Sequence, residues 1–344
     1  MTRFSLQDFK AVIVVLLLTV FFIFVLRPLA TKASFVDTPT TRKIHEGKIP
    51  LTGGISIFFA TCLTLVIFYE SLPLDSMTLL ACAGLSLLVG ALDDKFDLQA
   101  SKKLTLQIAI VSIFMMSTGH VVTSLGSPIG FSGSVQLGVL SIPFTVFAIV
   151  GLQNTFNMID GCDGLAASLV IVSLLALMSV APEVLSEPSR KILLVLSSSI
   201  FVFLFFNFST SKSLKAFLGD GGSLCLGFIV AASFVEFSAS STLYDPSLVL
   251  WFSAIPIMDF CTVILRRKLL KRKIMAADRS HLHHLLMSLG FSHLQITVLT
   301  SLLAVALLVF GLFVTSNHPN MSFWFFVALF LVYLSIRMIT VKGK

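Results

Sequence analysis

The chain has 344 residues, of which 56% are hydrophobic and only 12% charged. Soluble domains carry roughly 25% charge, so this composition argues against a soluble globular fold, and the 33 phenylalanines fit a surface turned to lipid. In such a chain a net charge of +7 points to membrane topology and anionic lipid headgroups, not to nucleic acid.

A membrane-spanning helix needs about 20 mostly apolar residues. Runs of this kind lie near 9–29, 53–70, 76–92, 104–119, 138–156, 164–181, 191–208, 222–238, 247–265, 295–315 and 321–339. They predict an all-α polytopic membrane protein of about eleven transmembrane helices. No soluble domain fits between the runs and no repeat is visible, so residues 1–344 read as one integral-membrane domain. The first run is flanked by Arg3, Lys10 and Arg27 and lacks an A-x-A-like cleavage site, so it reads as a span and not as a removed signal peptide. Between 119 and 138, Gly, Ser and Pro punctuate short β-branched stretches, which predicts a small hairpin. The five cysteines show no CxxC and no regular spacing, so no disulfide framework is expected.

An odd number of spans puts the termini on opposite sides. With the N-terminus outside, all but four of the 24 Lys and Arg residues (Arg3, Lys10, Arg190 and Lys191) fall inside. The positive-inside rule then places the N-terminus in the periplasm and the C-terminus in the cytoplasm. Every polar cluster described next falls at the end of an apolar run on that cytoplasmic side.

Asp93-Asp94-Lys95-Phe96-Asp97 ends the third run. Successive helical residues point about 100° apart, so Asp93 and Asp94 face different partners, while Asp93 and Asp97 share a face. Neighbouring carboxylates repel unless a cation relieves them. A metal site, a base that activates phosphate and a solvated helix end all remain open for this pair. Asn154-x-x-Asn157-x-x-Asp160-Gly-x-Asp163-Gly164 is more specific. A regular helix would fan these positions apart, and Gly161 and Gly164 let the backbone gather them. Asn and Asp oxygens are hard ligands suited to Mg²⁺, and the loop itself holds no Lys or Arg to neutralise its acids.

Phe217-Leu218-Gly219-Asp220-Gly221-Gly222-Ser223 opens the eighth run. Its glycines let backbone amides approach a phosphate, and Asp220 could hold a metal beside it; a plain helix start with Asp or Ser as cap is the alternative. Asp278-Arg279-Ser280-His281-Leu282-His283-His284 lies in the basic stretch 266–294. On a helix His281 and His284 share a face and His283 points elsewhere. Without a companion Cys or fourth His, zinc fits worse than a phosphate bound by imidazolium and guanidinium groups. Lys102 and Lys103 either contact phosphate or reach for the interface. The stretch 37–54, with Arg42, Lys43, His45 and Lys48, reads equally as a flap over a substrate and as a connecting loop.

In this order, Pro50-Leu-Thr-Gly-Gly54, the Asp93-Asp94 pair, NxxNxxDGxDGL from Asn154, the Gly219-Asp220 loop and DRxHxHH from Asp278 resemble the polyprenyl-phosphate N-acetylhexosamine-1-phosphate transferase family, over residues 35–290 or so. Leu282 interrupts the histidines, which are consecutive in the family's peptidoglycan-precursor branch. The form here is similar to the bacterial branch that starts O-antigen, enterobacterial common antigen or teichoic acid linkage units. The resemblance implies transfer of GlcNAc-1-phosphate from UDP-GlcNAc to undecaprenyl phosphate, releasing UMP, in the bacterial inner (plasma) membrane. Another UDP-N-acetylhexosamine is the alternative donor. It implies Mg²⁺, or Mn²⁺, on Asn157 and Asp220, and catalytic roles for Asp93, Asp94, Asp160, Asp163, His281, His283 and His284. Substrate contacts are expected from Lys103, Asn154, Gly219, Arg279, Arg42 and His45, and a homodimer is the assembly common in the family. Because a lipid phosphate is already ionised at neutral pH, Asp93 and Asp94 are expected to position it and not to act as strong bases. A prenyltransferase would need a second Asp-rich motif, which is missing from the sequence. A transporter would place its polar residues near the bilayer midplane.

Overall fold

The computed structural model describes residues 5–38, 47–69, 71–126, 134–180, 182–240, 244–271 and 280–342. Arg42, His45 and Arg279 lie outside them. Thirteen α-helices are present among the described residues: α1 (Leu6–Lys32), α2 (Gly53–Phe68), α3 (Leu74–Phe96), α4 (Ala100–Thr118), α5 (Ser141–Ile159), α6 (Leu165–Val180), α7 (Glu187–Asn207), α8 (Gly219–Ser240), α9 (Leu248–Phe252), α10 (Ala254–Leu269), α11 (Leu282–Ser288), α12 (His293–Asn317) and α13 (Ser322–Lys342). Local signals set several ends. Ser5 and Ser292 form capping boxes with Asp8 and Gln295, Ser186 caps α7 ahead of Pro188, and Gly119 closes α4 at φ +69°.

Each of the eleven apolar runs carries a helix, but the run 247–265 is divided. It breaks at Ser253 into α9 and α10, where Ser173 of α6 donates to the Phe252 carbonyl at 2.9 Å and lies 2.7 Å from Ser253 Oγ. A hydroxyl from a neighbouring helix thus satisfies backbone that the break sets free. Seven helical segments among the described residues are long and apolar enough to cross a membrane, whereas α2 and α6 are apolar but shorter. The chain is a polytopic membrane protein. Large apolar side chains such as Phe21 and Phe24 on α1 and Leu299 and Leu302 on α12 face outward, as a bilayer requires.

The fold is not purely helical. β1 (Val36–Asp37) and β2 (Ile49–Pro50) pair antiparallel, with Val36 opposite Pro50 and Asp37 opposite Ile49. Where a hairpin was expected, Ser124 and Gln136 form an antiparallel bridge, supported by Leu125 N–H to Val135 O at 2.9 Å and Leu137 N–H to Thr123 O at 2.8 Å, while 127–133 between them lie outside the described residues.

The bundle is organised around α8, which is buried on nearly every side from Gly219 to Phe237. It packs most extensively on α3 and α5. Near its start the neighbouring backbones almost touch. A Cβ at Gly54 would stand 2.1 Å from Gly222 Cα, and one at Gly90 would stand 2.3 Å from the Asp220 carbonyl oxygen. Apolar side chains gain little by leaving lipid for another helix, so close packing of small residues is what holds such helices together.

Candidate active site

Four helix ends meet at one end of the bundle. Asp93 comes from the last turn of α3, Lys103 from the first turn of α4, Asn157 from the last turn of α5 and Asp220 from the first turn of α8. Lys103 Nζ lies at their centre and donates to Asp93 Oδ2 at 2.6 Å, Asn157 Oδ1 at 3.1 Å and Asp220 Oδ2 at 3.3 Å. The residues around this point are themselves braced. Leu98 N–H donates to Asp93 Oδ1 at 2.9 Å, Asn157 Nδ2 to Ser223 Oγ at 2.9 Å, and Asn154 Nδ2 to Gln107 Oε1 at 2.9 Å.

Asp94 looks elsewhere, as helical geometry demands of adjacent residues. Its Oδ2 accepts the Gly221 N–H at 3.3 Å, a carboxylate at the N-terminal end of α8 where the helix dipole favours it. Gly219 makes the turn at φ +76°. A side chain there would be strained in the backbone, and its Cβ would stand 2.9 Å from Asp94 Oδ2. Asp97 is the C-cap of α3, where the chain leaves the helix in the left-handed region with φ 50°, so regular helical spacing no longer governs its direction relative to Asp93.

The Pro50–Gly54 segment explains why α8 starts where it does. Phe217 N–H donates to Pro50 O at 3.0 Å, Gly53 N–H to Phe217 O at 2.9 Å and Gly54 N–H to Leu218 O at 3.0 Å. This strand-like ladder fixes the two residues that lead into Gly219 and Asp220.

The turn after α5 carries two acids. Asp160 caps α5 and is half-buried. Asp163 enters a partnership that sequence reasoning misses. Lys215, from the stretch between α7 and α8, donates to Asp163 Oδ2 at 2.6 Å, and His293 Nδ1 at the start of α12 lies 3.5 Å away. Burial opposes the charge of Asp163, but hydrogen bonds from His293 and Lys215 outweigh it and hold the carboxyl below the usual carboxylate range. The loop has no basic residue of its own, and the fold supplies one from 52 positions away.

The three histidines do not sit as a helical wheel predicts. His281 lies just before α11 as its N-cap and stacks on His283, with ring centroids 5.8 Å apart and planes 9° apart. His283 is buried against the aspartate turn, so close that a Cβ on Gly161 would stand 2.2 Å from its Nε2. Gly161 therefore makes room for an imidazole. Burial, with His284 and His281 acting in the same direction, lowers the His283 pKa to about 3 and leaves the ring neutral at pH 7. His284 packs 4.2 Å from His283.

The donor set at the Lys103 cluster fits Mg²⁺. No group of three or more His, Cys, Asp or Glu residues forms a ready-made metal cage among the described residues. Two carboxylates and an amide do converge, and Mg²⁺ typically takes one or two protein carboxylates and completes its shell with water and substrate phosphates. The same oxygens already surround a cation, the Lys103 ammonium.

Comparison with known proteins gives the family. Residues 76–238, which include Asp93, Lys103, Asn157, Asp163 and Asp220, match glycosyl transferase family 4. The undecaprenyl-phosphate alpha-N-acetylglucosaminyl 1-phosphate transferase of Escherichia coli (strain K12) is 34% identical, over 92% of this chain and 86% of that protein. The enzyme of the same name from Yersinia pestis is 35% identical, over 93% of this chain and 87% of its own length. A probable undecaprenyl-phosphate N-acetylglucosaminyl 1-phosphate transferase of Bacillus subtilis (strain 168) is 36% identical, over 81% and 77%. A shared sequence over nearly the whole length, with the convergent polar residues inside the matched region, establishes that the chain belongs to glycosyl transferase family 4.

Proposed function

We propose that this chain is a phosphoglycosyl transferase that moves GlcNAc-1-phosphate from UDP-GlcNAc to undecaprenyl phosphate. The convergence of Asp93, Lys103, Asn157 and Asp220 at one end of an apolar bundle carries the reading, and the names of the relatives give the substrate class. Such a site suits one substrate that arrives from water and another that stays in lipid.

In the reaction an oxygen of the lipid phosphate attacks the β-phosphorus of UDP-GlcNAc. The bond from that phosphorus to the bridging oxygen breaks, UMP leaves with the bridging oxygen, and undecaprenyl-diphospho-GlcNAc remains. The protein's work is in-line positioning and neutralisation of charge. Asn157 and Asp220 would hold Mg²⁺, or Mn²⁺, with Asp93 beside them; the ion, when bound, supplies positive charge to the diphosphate oxygens. Lys103 adds a second positive charge at the same point. Asp93 and Asp94, fixed by Leu98 and Gly221, orient the lipid phosphate. Asn154, Gly219, Asp160 and the histidine loop line the nucleotide side, with Arg42, His45 and Arg279 as further contacts. Asp163, tied to Lys215, sets the shape of the turn.

Eleven crossings, a periplasmic N-terminus and a cytoplasmic active site in the inner membrane complete the proposal, supported by a helix in each apolar run and by the distribution of Lys and Arg. The products would feed cell-envelope polysaccharide synthesis, and a homodimer is the proposed assembly. The test uses purified protein, undecaprenyl phosphate and a panel of UDP-sugars, with UMP release and mass spectrometry of the lipid as readouts. UDP-GlcNAc is expected to give the fastest release and a lipid heavier by GlcNAc-1-phosphate. Turnover of a different UDP-N-acetylhexosamine alone would overturn the sugar assignment, and no UMP from any donor would overturn the reaction.

A further inference from the structure

Asp259 lies in α10, in the middle of the 247–265 run, and takes no part in the chemistry described above. Its side chain is almost fully buried. A carboxylate in an apolar interior is expensive unless partners surround it, and here they are drawn from separate parts of the chain. Oδ2 accepts from His281 Nδ1 at 2.8 Å. Oδ1 accepts the Leu282 N–H at 2.9 Å and the Tyr333 hydroxyl at 3.0 Å. Arg337 Nη2 stands 3.6 Å from Oδ1, and the same nitrogen donates to the Ser280 carbonyl. One acid in α10 therefore ties residues 280–282 to the last helix, α13.

The position of the histidines follows from this knot. Against a carboxylate, Nδ1 of His281 must be the protonated nitrogen, which fixes both the ring's orientation and its tautomer. The His281 ring stacks on His283, and His283 sits against Gly161 in the turn that carries Asp160 and Asp163. Packing is thus continuous from Asp259 to the aspartate turn.

We propose that Asp259 is a positioning residue, which sets the His281 ring and the start of α11 so that the histidine loop is held against the Asp160–Asp163 turn. The inference rests on the reading that this loop serves the diphosphate of a UDP-sugar. Carboxylates that orient a metal-ligating histidine cost about 10- to 100-fold in metal affinity or activity when removed, and a loss on that scale is expected for a carboxylate that orients His281. An Asn at 259 keeps the size of the side chain but removes the charge that selects the Nδ1–H form.

The experiment compares the full chain with Asp259→Asn, Asp259→Glu and Tyr333→Phe in detergent. For Asp259→Asn, kcat for UMP release is expected to fall about 10- to 100-fold and KM for UDP-GlcNAc to rise, with KM for undecaprenyl phosphate unchanged. Asp259→Glu is expected to recover part of the loss, because the charge returns. Tyr333→Phe keeps the carboxylate and is expected to show a smaller loss in the same direction, so it decides the matter if Asp259→Asn does not fold. Unchanged kinetics in a folded Asp259→Asn, or in Tyr333→Phe where it stands in, would overturn the proposal. So would equal losses against both substrates with no recovery in Asp259→Glu. A second measurement needs no turnover: ¹⁵N-histidine spectra, with His281 assigned by loss of its signals in His281→Gln. Nδ1–H in the parent chain, lost or mixed in Asp259→Asn, supports the proposal; the same tautomer in both chains overturns it. If the parent chain releases no UMP, the reaction assignment fails while this spectrum still decides the positioning role.

Discussion

Lys215 reaches Asp163 from a different part of the chain, with its Nζ 2.6 Å from Oδ2 and both side chains largely buried. The pair neutralises Asp163 of the NxxNxxDGxDG turn, an acid with no basic neighbour in its own loop. Lys215→Met would take from this buried carboxylate its closest cation, leaving His293 at 3.5 Å. Breaking a buried pair in this way costs about 3 kcal/mol, so thermal denaturation in detergent at pH 7 is expected to show a clear loss of stability. The pH dependence has a definite sign. The folded-state pKa of Asp163 is depressed, so its stabilisation is fully present above the ordinary carboxylate value of about 4. It is lost as pH falls through the folded value. The gap between parent and variant is therefore expected to narrow in acid, and a gap independent of pH would contradict the assignment.

Lys103→Met removes a charge that touches three site residues. A loss of kcat of about 10²- to 10³-fold is expected, the scale seen when one electrostatic donor is removed from a reaction centre. Lys103→Arg is expected to rescue little, since a planar guanidinium cannot occupy a point held between three oxygens at 2.6, 3.1 and 3.3 Å. Steady-state UMP release checks both variants.

Asp220→Ala is expected to abolish turnover and its response to added Mg²⁺ together. The assay is a Mg²⁺ titration of UMP release, with Mn²⁺ in parallel. Full activity at saturating metal would remove Asp220 from the metal site.

Gly54→Ala places a methyl group 2.1 Å from the Gly222 backbone. Overpacking against backbone that cannot yield is expected to cost about 3 kcal/mol and to lower the yield of folded protein. Gly151→Ala is the matched control: it sits in α5, and a Cβ there meets nothing within 4 Å. It is expected to fold at least as well as the parent, because alanine is the better helix former by about 1 kcal/mol. Detergent-solution melting curves distinguish the two.

Much of the site was legible in the sequence because membranes leave so few polar residues to choose from. Asp93, Lys103, Asn157 and Asp220 all stand at ends of apolar runs, and an end of a run is a place in space as well as in sequence. The partners of those residues were harder to see. Nothing local joins Lys215 to Asp163, or Ser223 to Asn157, since both contacts arise from how separate helices pack. Asp259 did leave a signal, an acid in the interior of an apolar run, which in a membrane asks for a partner. The break between α9 and α10 has a marker in Pro256, which is tolerated in the first turn of a helix and not in its middle. β1 and β2 have no signature, because two-residue strands are too short to show a period.

Asp220 joins Asp93 and Asn157 only after α8 has seated between α3 and α5, which both precede it in the chain. A nascent polypeptide that stops short of α8 holds Asp93 and Asn157 but neither Asp220 nor Ser223, whose Oγ braces Asn157. Assembly of the polar cluster therefore waits on the innermost segment, and the histidine loop, which follows it in the chain, joins later still.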